Sequence, residues 1–313
     1  MGKSRRNRVG SISPRVYQFA AQDFEHASHV LVGSSLKLSV VIPTHRRPEL
    51  LSQAIASVLR QDNADLEVVV MDDSAGREGE AVVSAARDPR VSYRAMPVPT
   101  GGNPSRVRNA AFAHTRGPIV HFLDDDDRVV PGAYARMLRA FEASHRPGVV
   151  FGRILPFGDD AVALAHEWEV FTTAARHGRL LAGTRSSWVS GAPPPLSRFL
   201  CAAHQLFGNT TMLVNSACMV RRELFERVGG YDEEIQVMED VDFYTRAIRE
   251  GGVAFVDAPA IEYRTGLPSI MNAHKGKSLE HVFRRMHAKY AGAHGRLELR
   301  AAQIVTKLVL NYL

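Results

Sequence analysis

PIVHFLDDDD, residues 118–127, is the segment that decides the fold class of this sequence. A short apolar run, interrupted by His121, leads directly into four consecutive aspartates. Such a run is typical of a strand that is buried on both faces of a parallel sheet. Four adjacent like charges repel one another, so a folded protein keeps them either in water or around a positive ion. The segment therefore predicts a buried strand that ends in a cluster of carboxylates.

The same strand pattern occurs twice before this segment. LKLSVVIP (36–43) and LEVVVMDDS (66–74) are apolar runs, and residues 48–61 between them carry apolar side chains at helical spacing. Strands that alternate with helices through short connections predict a parallel sheet with right-handed crossovers. Because ligands bind beyond the carboxyl ends of such strands, Asp72 and Asp73 would face the four aspartates across one crevice. The pattern continues with helices at 105–117, 131–145 and 238–252, strands at 148–155 and 253–264, and a strand and helix within 215–235.

The composition is that of a soluble globular protein. The 313 residues suffice for one large α/β domain or two small ones, and 45% of them are hydrophobic and 23% charged. No apolar run approaches the ~18 residues that span a bilayer, and the basic N-terminus lacks the apolar segment of a secretory signal. Cys201 and Cys218 are predicted to be free thiols in a reducing compartment. A cytoplasmic location is expected.

The net charge of +6 is concentrated near the N-terminus. Residues 1–37 hold six basic and two acidic side chains. They form either a solvated tail or a patch for an anionic membrane or a nucleic acid. Because neither a zinc-ligand spacing nor an aromatic-basic RNA motif is present, no nucleic-acid partner is predicted. The C-terminal stretch 301–313 is compatible with a helix packed on the domain and with a peripheral contact to a membrane or a partner.

The acidic strand ends point to a divalent cation. Mg²⁺ and Mn²⁺ take oxygen ligands, commonly one or two protein carboxylates together with substrate phosphates. The alternative for an isolated DDDD is a solvated turn. The sequence contains neither GxxxxGK[ST] nor a GxGxxG after a strand. If the ligand carries phosphates, the metal would therefore hold them, with help from arginine or lysine.

Four segments in this order resemble the family-2 glycosyltransferases of the GT-A fold. They are residues 39–61, 66–74, 105–127 and 229–252, which correspond to the opening strand and helix, the acid-ended second strand, the approach to the DxD motif, and the Glu-Asp motif with its helix. His45 and Arg46 stand where that family usually has an aromatic residue and Asn. Residues 156–207, where acceptor recognition usually lies in that family, contain no motif that this resemblance places.

The resemblance implies an α/β fold of GT-A type, with a Rossmann-like, mostly parallel sheet flanked by helices. It implies a single domain with a variable acceptor-side region. The expected divisions are a basic extension at 1–36, a nucleotide-sugar-binding half at 37–155, an acceptor-binding and catalytic half at 156–266, and a C-terminal closing segment with helices at 267–313.

The resemblance also implies roles for individual residues. Asp73, with Asp72 second, would bind the base of the nucleotide. Asp126 would be the principal metal ligand, while Asp124 or Asp125 would reach the ribose or a metal-bound water. Further donor contacts are expected at Pro43, Thr44, Arg46, Arg106 and Arg108.

The remaining assignments concern the reaction and the acceptor. Asp240 is the candidate general base, with capping of its helix as the alternative. Asp124 and His274 are expected to complete the metal site, and Asp127 to face solvent or cap the helix near Pro131. Acceptor contacts are expected at Glu239, Trp168 and Trp188.

The predicted activity is an inverting, metal-dependent transfer of a sugar from a nucleotide-diphosphate sugar, with a UDP-sugar favoured and Mg²⁺ or Mn²⁺ as cofactor. A sugar nucleotidyltransferase would need a glycine-rich, lysine-bearing loop where this chain has PTHRRPEL. A non-catalytic nucleotide-sugar-binding module would not need the Glu-Asp pair, Glu239 and Asp240, because it transfers no proton. A two-carboxylate glycoside hydrolase does not account for the nucleotide-site motifs. The donor sugar, the acceptor and the oligomeric state stay open.

Overall fold

A computed structural model describes residues 38–62, 65–143, 146–158, 194–208, 213–267 and 279–312. Within them, eight strands form one sheet: β1 (Leu38–Thr44), β2 (Leu66–Asp72), β3 (Val91–Ala95), β4 (Ile119–Phe122), β5 (Arg128–Val129), β6 (Val149–Gly158), β7 (Cys218–Arg221) and β8 (Val253–Thr265). The helices are α1 (Pro48–Leu59), α2 (Glu78–Ala86), α3 (Pro104–Phe112), α4 (Ala133–Phe141), α5 (Pro194–Phe207), α6 (Arg222–Val228), α7 (Glu239–Gly251), α8 (Glu280–His294) and α9 (Arg296–Leu308).

The sheet has the strand order β3-β2-β1-β4-β7-β6-β8-β5. Strands β3, β2, β1 and β4 run parallel to one another, and β6 runs parallel to β8. Strand β7 lies antiparallel between β4 and β6, and β5 pairs antiparallel with β8. The predicted α/β fold with a mostly parallel sheet is therefore confirmed, with β7 and β5 as antiparallel members. The parallel half brings the carboxyl ends of β1, β2 and β4 to one edge.

Strand β1 shows why the apolar runs are continuous. Val40 and Ile42 pack in the layer that contains α1 and α4, whereas Val41 packs in the opposite layer with α3 and α7. Successive side chains of a strand point to opposite faces, so a strand covered on both sides needs an unbroken apolar sequence. The side chains of Val40, Val41 and Ile42 are completely buried.

Close approaches of the backbone explain two of the glycines. Helix α3 ends at Phe112, before Gly117, so Gly117 does not end that helix as the sequence pattern suggests. Instead, the Gly117 N–H donates to Ser39 Oγ (2.7 Å), and a Cβ at this position would lie 2.7 Å from the same oxygen. Gly148 similarly meets the end of α7, where its N–H donates to Gly251 O (2.8 Å).

None of the described helices combines the length and the apolar character needed to cross a bilayer. Cys201 and Cys218 are both buried, and neither forms a disulfide. Residues Trp168, Trp188 and His274 lie outside the described residues.

Gly148→Ala is expected to lower the free energy of unfolding by about 1–3 kcal/mol. An added methyl group would meet the Leu224 side chain and lie 2.9 Å from Gly251 Cα, where backbone must shift. Urea unfolding followed by circular dichroism measures the change. The matched control is Gly292→Ala on α8, where a Cβ meets nothing within 4 Å, and it should stabilise the helix by about 0.5 kcal/mol. Equal effects of the two substitutions would contradict this account.

Candidate active site

The four aspartates after β4 alternate between the protein interior and the surface. Asp125 and Asp127 are 6% and 1% exposed. The side chains of Asp124 and Asp126 are 31% and 25% exposed. The run is therefore neither a solvated turn nor a buried cluster. Asp124 and Asp126, spaced as Asp-x-Asp, are the presented carboxylates, because they are partly exposed. Asp125 and Asp127 are buried inside the fold.

The interior aspartates fasten the run to the neighbouring strands. Thr44 Oγ1, at the end of β1, donates to Asp125 Oδ2 (2.7 Å). The Arg264 N–H, in β8, donates to Asp127 Oδ1 (3.0 Å), and Arg264 Nε donates to Asp126 O (3.0 Å). The expectation that Asp127 faces solvent or caps a helix is wrong, because a partner 137 residues away in the sequence draws it inward.

Burial and mutual repulsion raise the pKa values of these carboxyl groups. Burial and then Asp126 raise the pKa of Asp125 to about 6, against the bond from Thr44 and the charge of Arg47. Burial followed by Asp126 raises the pKa of Asp127 well above its ordinary value. Burial and then Asp124 raise the pKa of Asp126. The run thus carries repulsion that a nearby cation would relieve.

Two arginines contact the presented carboxylates. Arg47 Nη1 lies 2.8 Å from Asp126 Oδ2 and 3.3 Å from Asp125 Oδ1. Arg108 Nη2 lies 2.7 Å from Asp124 Oδ1. Arg108 was predicted as a donor contact. Arg47 was not predicted as a site residue. Its position in the basic stretch that directly follows β1 is the sequence signal that could have indicated it.

Arg108 also connects the aspartate run to the Glu-Asp motif. Its Nη1 lies 2.6 Å from Glu239 Oε1, and the residue is only 4% exposed. Burial lowers the pKa of Arg108, but the charges of Asp124 and Glu239 raise it well above its ordinary value. The guanidinium therefore stays charged and holds two carboxylates from distant parts of the chain. Glu239, predicted as an acceptor contact, makes its described contact with Arg108.

Asp240 is the second residue of α7 and lies partly exposed beside this bridge. The helix follows Met238, whose φ of 63° is left-handed. Asp240 Oδ1 accepts a hydrogen bond from the Val241 N–H (2.8 Å), so the side chain satisfies one N–H group of the first turn. Burial and then Glu239 raise the pKa of Asp240 to about 7, while Arg108 lowers it.

Neutral groups complete the surroundings of Asp240. Burial, with a contribution from the Asp240 charge, raises the pKa of the Cys218 thiol well above its ordinary value. Three tyrosines near Asp240 also have raised pKa values. Burial is the largest cause, and the charge of Asp240 adds to it: Tyr231, Tyr244 and Tyr263. The thiol and the phenols beside Asp240 therefore stay uncharged near neutral pH.

The acids at the end of β2 are occupied by local hydrogen bonds. Asp72 accepts from the N–H groups of Ser74 and Gly79 (both 2.8 Å) and from Tyr93 Oη (3.2 Å), which fixes the turn into α2. Asp73 accepts from Thr100 N (2.6 Å), Thr100 Oγ1 (2.7 Å) and Gly102 N (3.3 Å). Asp73 thereby holds the loop that leads into α3, and its contact with a base stays a prediction.

The other predicted donor contacts differ in position. Pro43 lies partly exposed in β1, beside the Thr44 contact. Arg46 is exposed, with a left-handed φ of 56°, and its N–H donates to Ser74 Oγ (2.8 Å). Arg106 is half exposed and pairs with Glu233 at 3.7 Å instead of with the aspartates. The structure therefore brings Pro43, Thr44 and Arg46 to the strand ends and leaves Arg106 at the surface.

The presented carboxylates fit a hard divalent cation. Asp124 and Asp126 offer oxygen ligands, and burial followed by the charge of Asp124 raises the pKa of Asp126. No group of three or more His, Cys, Asp or Glu side chains in the described part of the chain is arranged to hold a metal ion. Asp124 and Asp126 are two carboxylates, and one or two carboxylates are what Mg²⁺ commonly takes from a protein, together with phosphate oxygens and water.

Comparison with known proteins gives a consistent family. Residues 39–229 match the family model described as Glycosyl transferase family 2. The GalNAc(5)-diNAcBac-PP-undecaprenol beta-1,3-glucosyltransferase of Campylobacter jejuni is 36% identical over 121 residues, which are 38% of each chain. The segments matched in two curated relatives are 64% and 38% of the relative's length. This chain therefore matches less than two thirds of either protein.

Solved structures show the same fold. S. aureus TarS 1-349 in complex with UDP-GlcNAc has a TM-score of 0.60 at 17% identity, over 86% of this chain and 70% of that one. The mannosyltransferase PcManGT of Pyrobaculum calidifontis, in complex with GDP-Man and Mn2+, has a TM-score of 0.50 at 18% identity, over 86% and 73%. These likenesses confirm the GT-A type of fold. With the model match over residues 39–229, they show that the chain belongs to glycosyl transferase family 2.

Proposed function

We propose that this glycosyltransferase moves a sugar from a nucleoside-diphosphate sugar to an acceptor hydroxyl with inversion, and that Asp240 is the general base. The observation that carries the proposal is the Arg108 bridge from Asp124 to Glu239, at 2.7 and 2.6 Å. This bridge places Asp240, the next residue along α7, beside the carboxylates that end β4. Donor binding and proton removal can therefore occur in one site.

The donor is proposed to lie across the ends of β1, β2 and β4. Thr44 and Asp125 form its floor, while Asp124 and Asp126 face the diphosphate side. A UDP-sugar is favoured because TarS, the neighbour with a TM-score of 0.60, binds UDP-GlcNAc. The Pyrobaculum neighbour binds GDP-Man, so the contacts of the base, proposed here for Asp73, decide between the nucleotides.

Asp124 and Asp126 are proposed to hold Mg²⁺ or Mn²⁺, as the Mn2+ of the Pyrobaculum neighbour supports. When bound, the cation would stabilise the negative charge that develops on the leaving diphosphate. Arg47 and Arg108 already contact these carboxylates and supply positive charge at the same edge. Arg47 is therefore proposed as an additional donor-site residue.

Asp240 is suited to accept the proton of the attacking hydroxyl. A general base works best when its pKa lies near the operating pH, and burial beside Glu239 raises the pKa of Asp240 to about 7. Inversion needs one such base, because attack occurs once, on the face opposite the leaving group. Glu239 and Arg108 are proposed as positioning residues that fix the start of α7 relative to the donor.

Asp126→Asn is expected to weaken Mn²⁺-dependent nucleotide binding by more than about tenfold, since it removes a proposed metal ligand. Calorimetric titration with UDP, dTDP and GDP, each with and without Mn²⁺, measures the change and identifies the base. Asp62→Asn, at an exposed aspartate after α1, is the control and should bind as the parent protein does. Metal-dependent binding that survives in Asp126→Asn would remove Asp126 from the metal site.

Asp240→Asn is expected to lower the transfer rate by about 10²–10⁴-fold while nucleotide binding is retained. In the parent protein, kcat/KM should rise as the pH rises through about 7, because the carboxylate, not the acid, accepts the proton. This inflection should disappear in the variant. Glu226→Gln, at a half-exposed carboxyl on α6, is the control. An unchanged pH profile in Asp240→Asn would show that another group is the base.

Arg108→Met is expected to lower the free energy of unfolding by about 3 kcal/mol, because it leaves two carboxylates without their buried partner. Urea unfolding measures the loss. Arg106→Met, two residues earlier in an exposed ion pair, should change stability by no more than about 0.5 kcal/mol. If the two variants were equally stable, the Arg108 bridge would not organise the site.

A further inference from the structure

Helix α9 carries an apolar stripe on its outer face. Leu297, Ile304 and Leu308 are 82%, 58% and 66% exposed, and Ala301 between them is exposed as well. Residues spaced by three, four and seven positions lie on one side of a helix. Most of the large hydrophobic side chains that are exposed elsewhere in the described residues occur singly, as Val98 does. The stripe on α9 is therefore a continuous surface feature.

The orientation of α9 is fixed by its inner face. Ala302 and Thr306 are completely buried, and Leu299 packs against the core. Glu298 accepts hydrogen bonds from Arg249 Nε and from Tyr290 Oη, both at 2.8 Å. Because the helix cannot rotate without breaking these contacts, Leu297, Ile304 and Leu308 stay directed outward.

The charges beside the stripe are all positive. Arg296, Arg300 and Lys307 are exposed, and at 100° per residue they lie along one edge of the stripe. The acidic residue of the helix, Glu298, is paired with Arg249. No acidic side chain in the described part of the chain forms an ion pair with any of the three cations. The outer face of α9 is thus apolar along its centre and basic along one edge.

We propose that the outer face of α9 lies on an anionic lipid bilayer. An apolar stripe flanked by basic side chains is the pattern of helices that lie in the plane of a membrane interface. The 13 residues of α9 are too few to span a bilayer, so the contact is peripheral. A second copy of this chain packed antiparallel through the stripe fits less well, because that two-fold contact would place the basic edges of both helices on the same side. The proposal does not depend on the transfer chemistry.

The test is sedimentation of the full chain with vesicles of phosphatidylcholine alone and of phosphatidylcholine with phosphatidylglycerol. The protein should bind the anionic vesicles, and added salt should weaken the binding. The triple variant Leu297→Gln, Ile304→Gln, Leu308→Gln should lose most of it. The double variant Arg300→Gln, Lys307→Gln should lower the partition coefficient by about fivefold for each charge removed.

Matched controls separate this face from general surface charge. Val98→Gln replaces a 74% exposed apolar side chain elsewhere, and Arg106→Gln with Arg116→Gln removes two exposed cations away from α9. Both controls should bind as the parent chain does, and all variants should unfold at the same urea concentration. The proposal is overturned by equal binding to neutral and anionic vesicles, by no binding, or by unchanged binding of the α9 variants. Sedimentation equilibrium that finds a dimer abolished by the triple variant would assign the face to a second copy.

Discussion

The ion pairs of Arg108 organise the active site. The guanidinium is almost completely buried, and a buried charge is costly unless it is paired with good geometry. Its two partners come from parts of the chain that are far apart in sequence: Asp124 follows β4, and Glu239 opens α7. The pairing therefore forms only when the sheet and α7 have docked. Since Asp240 is adjacent to Glu239, the same pairing fixes the proposed base relative to the donor site.

The aspartate run shows how a fold can keep like charges together. Its side chains alternate: Asp125 and Asp127 are held inside the protein by Thr44 and Arg264, whereas the more exposed Asp124 and Asp126 pair with Arg108 and Arg47. Burial, and after it the remaining repulsion between the aspartates, raises the pKa values of Asp125 and Asp126. A cluster of carboxylates built in this way favours positively charged partners, and Arg47 and Arg108 are two of them.

Continuous apolar runs predicted the strands that are buried on both faces, such as β1, β2 and β4. Apolar residues at helical spacing predicted helices with one buried side, such as α7. They did not predict α2 and β3, because Gly79 is the buried residue of α2 and β3 has no fully buried residue. The candidate site was predictable where acids end strands. It was not predictable where long-range contacts decide the geometry, as with Asp127 and Arg264, or Arg108 and Glu239. Residues 159–193, with Trp168 and Trp188, are outside the described residues.

The two ends of helix α7 lie at different parts of the molecule, the proposed active site and helix α9. Asp240 lies in its first turn, and Arg249, in its last turn, pairs with Glu298 of α9. Arg249 is nine positions after Asp240, which is about 14 Å along the helix axis. Because a helix of this length hardly bends, whatever binds the outer face of α9 is held at a constant separation from the proposed base. If α9 lies on a bilayer and Asp240 is the base, as proposed, α7 would set the distance between that bilayer and the reacting group.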